Sequence, residues 1–400
     1  MTLKDHIAWV ESLRRFQPKT SLDRLSSIFK ALDLSYDSKK VQVIGTNGKG
    51  STAKMLTDVL KQTMTVGTFM SPYVYDFQER FLINGENISD DILLQGFEYM
   101  RQVYQTYDDL TFFECLTLIA FYVFKSLKLE VIIMEAGIGG RLDATSIETY
   151  DYTLFTTVGH DHLNVLGPTL EDVCRDKVCA VKKNGTLLST VSQPYQHIIL
   201  EHINRMHATL YDVSVHDVNI MIDLPLTFTY RDEMYTLSYV GGHYARNATL
   251  VIEVAMLLNL SIDQIKKGLL KSTLHGRFEE VGGVILDAAH NLEAIEAFSQ
   301  TLETLYPDIG TYVIFSALGD KDIMSMVKRL SKSSTVIVTS FDDVRYKDLS
   351  YVKEEGFPFI HSFEEAYEYV MHMKDEDAKV FVTGSIHFMS QVKSKILNIS

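Results

Sequence analysis

Residues 41–56, VQVIGTNGKGSTAKML, read as a strand, a glycine-rich turn and the opening turns of a helix. The glycines let main-chain N–H groups approach a phosphate closely, and Lys49 brings a positive charge to the same place. Ser51 or Thr52 offers a hydroxyl to a magnesium ion, and the helix that follows adds the positive end of its dipole. The common phosphate-loop pattern G-x-x-x-x-G-K-[ST] is not met. Val43 stands where its first glycine belongs, and Gly50 follows the lysine. Strand, glycines, lysine, hydroxyls and helix in this order nevertheless predict phosphate binding over a solvated turn.

The chain around this loop has 400 residues, more than one hydrophobic core usually organises, so about two domains are expected. With 46% hydrophobic and 22% charged residues it reads as an ordinary globular protein, not a disordered one. A net charge of -14 argues against general nucleic-acid binding, which needs clustered Lys and Arg. Anionic ligands must then find local cationic pockets within a negative field. The first twenty residues carry scattered charges and no apolar core, so no secretory signal is expected. No uninterrupted run of about 18 apolar residues occurs, which predicts no membrane span. These features point to the cytoplasm. Cys115, Cys174 and Cys179 fit neither a disulfide framework nor a zinc pattern and are expected to pack.

Helical patterns alternate with short apolar strands, the rhythm of an α/β fold with a mainly parallel sheet. Residues 112–127, FFECLTLIAFYVFKSL, are apolar nearly all round and predict a buried helix. LEVIIMEAGIGG ends a strand at Glu135, and YTLFTTVGHDH ends another at His160, Asp161 and His162. Ligands bind beyond the C-terminal ends of strands in open parallel sheets, so these groups are candidates for one site. Glu135 follows apolar residues, and a carboxylate buried there should meet a cation. Magnesium beside ATP phosphates suits it; capping the next turn or pairing with Arg141 is the bland alternative. Lys177, in CRDKVCAVKK, falls on a helix expected to run back under the same edge, though alone it would read as a surface lysine. From residue 275 the rhythm restarts with GGVILDAAHN, TYVIFSALGDKD, STVIVTSF and AKVFVTGSIHF, a second and smaller α/β unit joined near LKSTLHGRFEE.

Taken together, GTNGKGS, SPYVYDFQERFLING, TFFECLTLIAF, MEAGIGGRLDAT, GHDHLNVLGPTLEDVCRDK, GRFEE, LDAAHN, SALGDKD and FVTGSIHF resemble the folylpolyglutamate and dihydrofolate synthases, the folate branch of the ATP-dependent Mur ligases. The stretches keep family order from near residue 41 to near residue 390. The family loop G-T-x-G-K-x-[ST] accounts for the departure noted above, because GTNGKGS satisfies it. The resemblance implies an ATP-binding, Mur ligase-like domain over residues 1–274 with a P-loop and a mainly parallel sheet. A smaller Rossmann-like ligase domain follows over residues 275–400.

By the same resemblance, Thr46, Asn47, Gly48, Lys49, Gly50, Ser51 and Thr52 hold ATP, with Lys49 on the β and γ phosphates. Two magnesium sites are implied: Ser51 with Ser71 near it for the first, Glu135 and His162 for the second. Lys177 matches a lysine that is carbamylated, turning a cation that would repel the metal into a carboxylate-like group. Asn247 matches a residue at the adenine; Arg277, Asp287 and His290 match groups that close over the nucleotide and the reacting phosphoryl. Lys49, Lys177, Asp287 and His290 are thus the expected catalytic set, and the family leaves room for a monovalent cation. Tyr73-Val74 stands where the family often has His-Leu, near the pterin, and Ala288 stands where it often has glycine, which matters if that backbone needs positive φ.

The implied reaction activates a carboxylate of dihydropteroate or a reduced folate as an acyl phosphate, which the amine of L-glutamate then attacks. Closure of two domains would exclude water from that intermediate. A monomer is expected, with no nucleic-acid or membrane partner. Two other readings share the loop: a ligase for a cell-wall nucleotide precursor, and a nucleotide-binding regulator without activity. ERFLING, GGRLDAT and the lack of a separate N-terminal nucleotide domain disfavour the first; Lys49, Glu135, His162 and Lys177 disfavour the second.

Overall fold

The computed structural model describes residues 1–17, 19–319 and 321–399, so Asp320 of SALGDKD lies outside the described residues. The chain divides into two compact units, Met1–Asp217 with Arg246–Ser272, and Val218–Ala245 with Thr273–Ser400.

The first unit is built on an eight-stranded sheet. Its strands are β1 (Lys39–Ile44), β2 (Val66–Phe69), β3 (Phe81–Ile83), β4 (Glu86–Asn87), β5 (Val131–Glu135), β6 (Tyr152–Phe155), β7 (Thr186–Ser189) and β8 (Thr209–Asp212). They lie in the order β4-β3-β2-β5-β1-β6-β7-β8. From β2 to β8 every pairing is parallel, and the short hairpin β3-β4 closes one edge antiparallel. β5, VIIME, is buried throughout, as a central strand covered on both faces must be. Its register with β1 sets Val43 beside Glu135, so the loop after β1 and the carboxylate ending β5 leave the sheet at one edge.

The apolar segment near residue 112 is a helix, Phe112–Ser126, at the heart of the largest core. It starts at a reciprocal cap: Thr111 Oγ1 accepts from Glu114 N–H, and the Glu114 carboxylate accepts from Thr111 N–H at 2.9 Å. Phe97, Phe121 and Phe124 pack fully buried in the same core, while a second core further along the same face of the sheet gathers Ile44, Phe155, Cys174 and Leu187. Cys115 and Cys174 are buried and all three cysteines are unpaired.

The second unit carries a six-stranded sheet and a three-stranded one. β9 (Asn219–Asp223), β10 (Leu226–Tyr230) and β11 (Glu233–Leu237) form an antiparallel meander, an element the α/β rhythm does not announce. β12 (Glu279–Val281), β13 (Val284–Leu286), β14 (Thr311–Phe315), β15 (Thr335–Thr339), β16 (Phe359–Ile360) and β17 (Lys379–Thr383) line up as β12-β13-β17-β14-β15-β16. All pairings but β12-β13 are parallel. Phe298, Phe315 and Phe381 centre its core. The fold is thus mixed α/β with a large mainly parallel sheet and a second mixed sheet. Among the described residues no helix is long and apolar enough to cross a membrane.

Candidate active site at the loop after β1

The loop leaves β1 at Gly45, whose φ of 145° and whose fit against Thr156 both require glycine: a Cβ there would lie 1.9 Å from Thr156 Oγ1. It is then tied to the segment after β6. Thr46 N–H donates to the Thr157 carbonyl at 2.9 Å and Asn47 N–H to Thr157 Oγ1 at 2.8 Å. Thr156 Oγ1 donates to the Asn47 carbonyl at 2.6 Å, and Gly159 N–H to Thr46 Oγ1 at 3.0 Å. Thr156 and Thr157 therefore set the loop's shape, a role hidden in the sequence until the two strand ends are known to be neighbours.

Gly48 turns the chain through the left-handed region at φ 84° and caps the helix Lys49–Leu60. No side chain caps that helix, so its first amide N–H groups are left for a ligand. Asn247, buried on the helix His243–Leu257, lies directly against the turn, since a Cβ on Gly48 would meet its Nδ2 at 2.7 Å. Ser51 and Thr52 are buried on the first helical turn, and Thr52 Oγ1 has no hydrogen-bond partner.

Two ammonium groups converge on the loop's first carbonyl. Lys49 Nζ donates to the carbonyls of Gly45 and Thr46 at 3.1 and 3.0 Å, and Lys177 Nζ donates to the Gly45 carbonyl at 2.8 Å. Lys177 sits in the last turn of the helix Leu170–Val178, 4% exposed. Burial first, and then repulsion from Lys49, push its pKa down to about 7. A lysine that reads as surface is the most perturbed cation of the loop.

Glu135, 4% exposed, lies over the start of the helix Lys49–Leu60: a Cβ on Gly50 would stand 3.5 Å from both of its carboxylate oxygens. Ser71 N–H donates to Glu135 Oε2 at 2.9 Å, which brings the SPY segment to the β5 edge. Arg141, by contrast, pairs with Asp176 at 3.5 Å. His162 caps the short helix Leu163–Leu166 at φ 54°, with its N–H donating to Asp161 Oδ1 at 2.9 Å and its ring Nε2 3.8 Å from the same oxygen. Among the described residues no three His, Cys, Asp or Glu side chains cluster as a metal site. One buried carboxylate plus serine hydroxyls beside a phosphate cradle still suits magnesium, which keeps waters and takes phosphate oxygens for its remaining positions.

Arg80 is a functional candidate the sequence reading missed. It is 4% exposed, its Nη1 donates to Ser71 Oγ at 3.2 Å, and the rings of Tyr73, Phe77 and Phe112 surround it at 5.0, 5.7 and 5.3 Å. Burial pushes its pKa down to about 10, so it stays charged at neutral pH, with Tyr73, Glu11 and Glu135 supporting that charge.

In the second unit, Asp287 directly follows β13 and is partly buried. Its Oδ1 accepts from Ala289 N–H at 3.0 Å and its Oδ2 from Phe278 N–H at 3.1 Å. Burial raises its pKa, against the pull of Arg277, these two N–H groups and His290. His290 Nδ1 lies 2.9 Å from the Ala288 carbonyl, and Asn291 caps the helix Leu292–Leu305. Ala288 is not among the positive-φ residues, so alanine in place of glycine strains nothing.

Comparison with known proteins gives the family. The Mur ligase middle domain matches residues 43–256, and the Mur ligase glutamate ligase domain matches residues 276–386. A dihydrofolate synthase/folylpolyglutamate synthase of Bacillus subtilis (strain 168) is 32% identical over 427 residues, covering 98% of this chain and 99% of the relative. The folylpolyglutamate synthase of Lacticaseibacillus casei is 26% identical, covering 99% of each. A Yersinia pestis bifunctional folylpolyglutamate synthase/dihydrofolate synthase, solved with AMPPNP and Mn ion, matches with TM-score 0.87 and 27% identity over 99% of this chain and 98% of that one. E. coli FolC, solved with DHPP and ADP, shares the fold at TM-score 0.89 and 24% identity, covering 100% of this chain and 98% of that one. The chain belongs to the dihydrofolate synthase/folylpolyglutamate synthase family of Mur ligases.

Proposed function

We propose that this protein is an ATP-dependent ligase that joins L-glutamate to the carboxylate of a folate-class acceptor, dihydropteroate or a reduced folate, through an acyl phosphate. The observation that carries the reading is the uncapped, glycine-turned helix start with Lys49 beside it and Glu135 above it. Family membership supports it, as does the Yersinia pestis relative's complex with AMPPNP and Mn ion. A related structure at 27% identity was solved with Mn, AMPPNP and L-glutamate.

In this reading Thr46 to Thr52 cradle the nucleotide phosphates, and Lys49 exchanges its two loop carbonyls for the phosphate oxygens it neutralises. Asn247 is assigned to the adenine, and Arg277, Asp287 and His290 to the nucleotide and the transferred phosphoryl. Two magnesium sites are proposed, one on Ser51 and Ser71, one on Glu135 and His162 with Lys177 beside it. When bound, magnesium supplies charge neutralisation on the transferring phosphoryl oxygens. Lys177 is proposed to be carbamylated: a pKa of about 7 leaves a large neutral fraction, and the neutral amine is the form that adds to carbon dioxide. The acceptor carboxylate displaces ADP at the γ phosphorus, and the glutamate amine then displaces phosphate and loses a proton to give the amide.

Residues 1–274 and 275–400 are proposed as the ATP-binding and ligase domains of a cytoplasmic monomer. The test is ATP-dependent amide synthesis by the purified protein with each acceptor: Lys49→Ala should abolish it, and unchanged synthesis would end the proposed role of the loop.

A further inference from the structure

We propose that Arg80 is a positioning residue for the metal side of this site, acting through the hydroxyl of Ser71. The inference rests on the reading above, in which Ser71 and Glu135 serve the metal.

Arg80 grips the chain at residues 70 and 71 twice. Its carbonyl accepts from Met70 N–H at 2.8 Å, and its Nη1 donates to Ser71 Oγ at 3.2 Å. Ser71 passes the constraint on, because its own N–H donates to Glu135 Oε2 at 2.9 Å. The chain Arg80, Ser71, Glu135 therefore fixes a hydroxyl and a carboxylate relative to one another. A donor on one side of the serine oxygen restricts its rotamer and leaves oxygen capacity for one more partner.

The surroundings separate this role from plain packing. A guanidinium this buried is costly, and a purely structural position is often filled at least as well by an apolar side chain. Arg80 keeps its charge among three aromatic rings, and its Nε–H is buried without an acceptor. Nor can attraction explain service to a cation: a positive charge near a metal opposes it by Coulomb repulsion. Orientation is what remains. The hydrogen bond to Ser71, not the charge, is then what the metal gains from Arg80.

Arg80→Lys keeps the charge and gives up the forked reach, so it isolates that contribution. The probe is Mn2+ binding in the presence of AMPPNP, read by electron paramagnetic resonance, in the wild type, Arg80→Lys, Ser71→Ala and the double variant. Arg80→Gln serves as second variant, and circular dichroism establishes that each is folded. Arg80→Lys should weaken Mn2+ binding about tenfold with Ser71 present and less than about twofold in the Ser71→Ala background. Equal losses in both backgrounds, or no loss with Ser71 present, would overturn the proposal. Intact Mn2+ binding together with a raised acceptor KM would also overturn it, assigning Arg80 to the acceptor instead. A wild type without AMPPNP-dependent Mn2+ binding would remove the underlying reading of the loop, a result distinct from each of these.

Discussion

Lys49 and Lys177 donate to the same oxygen, the carbonyl of Gly45, at 3.1 and 2.8 Å, although 128 residues separate them in the chain. Burial first, and then repulsion between the two ammonium groups, push Lys177 down to about 7. Lys49 is thus left as the cation that a polyphosphate would meet at the loop.

A pH dependence of stability comes from Lys177. Its folded pKa lies below the ordinary lysine value of 10.5, so between about pH 7 and 10.5 the unfolded chain binds more protons than the folded one. Stability contributed by this group therefore rises with pH across that window, by an amount on the order of a few kcal/mol. Lys177→Met should flatten the rise. Chemical denaturation of the nucleotide-free protein at pH 7 and 9 in carbon dioxide-depleted buffer, where Lys177 is the free amine, measures it, and a wild-type curve no steeper than the variant's would refute the assignment.

Carbamylation of Lys177 predicts a dependence on carbon dioxide. Protein prepared in carbon dioxide-depleted buffer should lose activity and regain it on adding bicarbonate, with a carbamate signal in 13C NMR from labelled bicarbonate. A Lys177→Ala variant should give no such signal; a signal that persists would place the carbamate elsewhere.

Gly48→Ala tests the turn. At φ 84° a Cβ costs about 1 kcal/mol or more in backbone strain, and here it would also press within 2.7 Å of Asn247. AMPPNP affinity, measured by calorimetry, should fall at least tenfold while the fold is kept. Wild-type affinity would mean that the turn does not shape the nucleotide site.

Glu135→Gln keeps shape and removes charge. The half-saturating magnesium concentration for amide synthesis should rise at least tenfold, because the variant withdraws the charge of the carboxylate that lies against Gly50. An unchanged magnesium dependence would take Glu135 out of the metal site.

Much of this was legible in the residues. The β1 strand, its loop and the helix after it follow from local pattern, and Glu135 is conspicuous because an acid closes an otherwise apolar strand. Lys177 gained its meaning only from the family pattern, since its partner Gly45 is brought to it by the order of β1 and β6 in the sheet. Arg80 stayed hidden for a similar reason: it closes the charged turn Phe77–Arg80, and its burial depends on Phe112, 32 residues further on. The β9–β11 meander was missed because β9 is exposed almost throughout, so no buried face marks it as a strand. Its turns at Leu224-Pro225 and Arg231-Asp232 were the available signal.

The most direct test is incorporation of labelled L-glutamate by the purified protein with ATP and magnesium, run with dihydropteroate, with tetrahydrofolate and with no acceptor. The account predicts ATP-dependent incorporation with at least one of the two acceptors, none without acceptor, and none by Lys49→Ala. ATP binding without incorporation into either acceptor would contradict it.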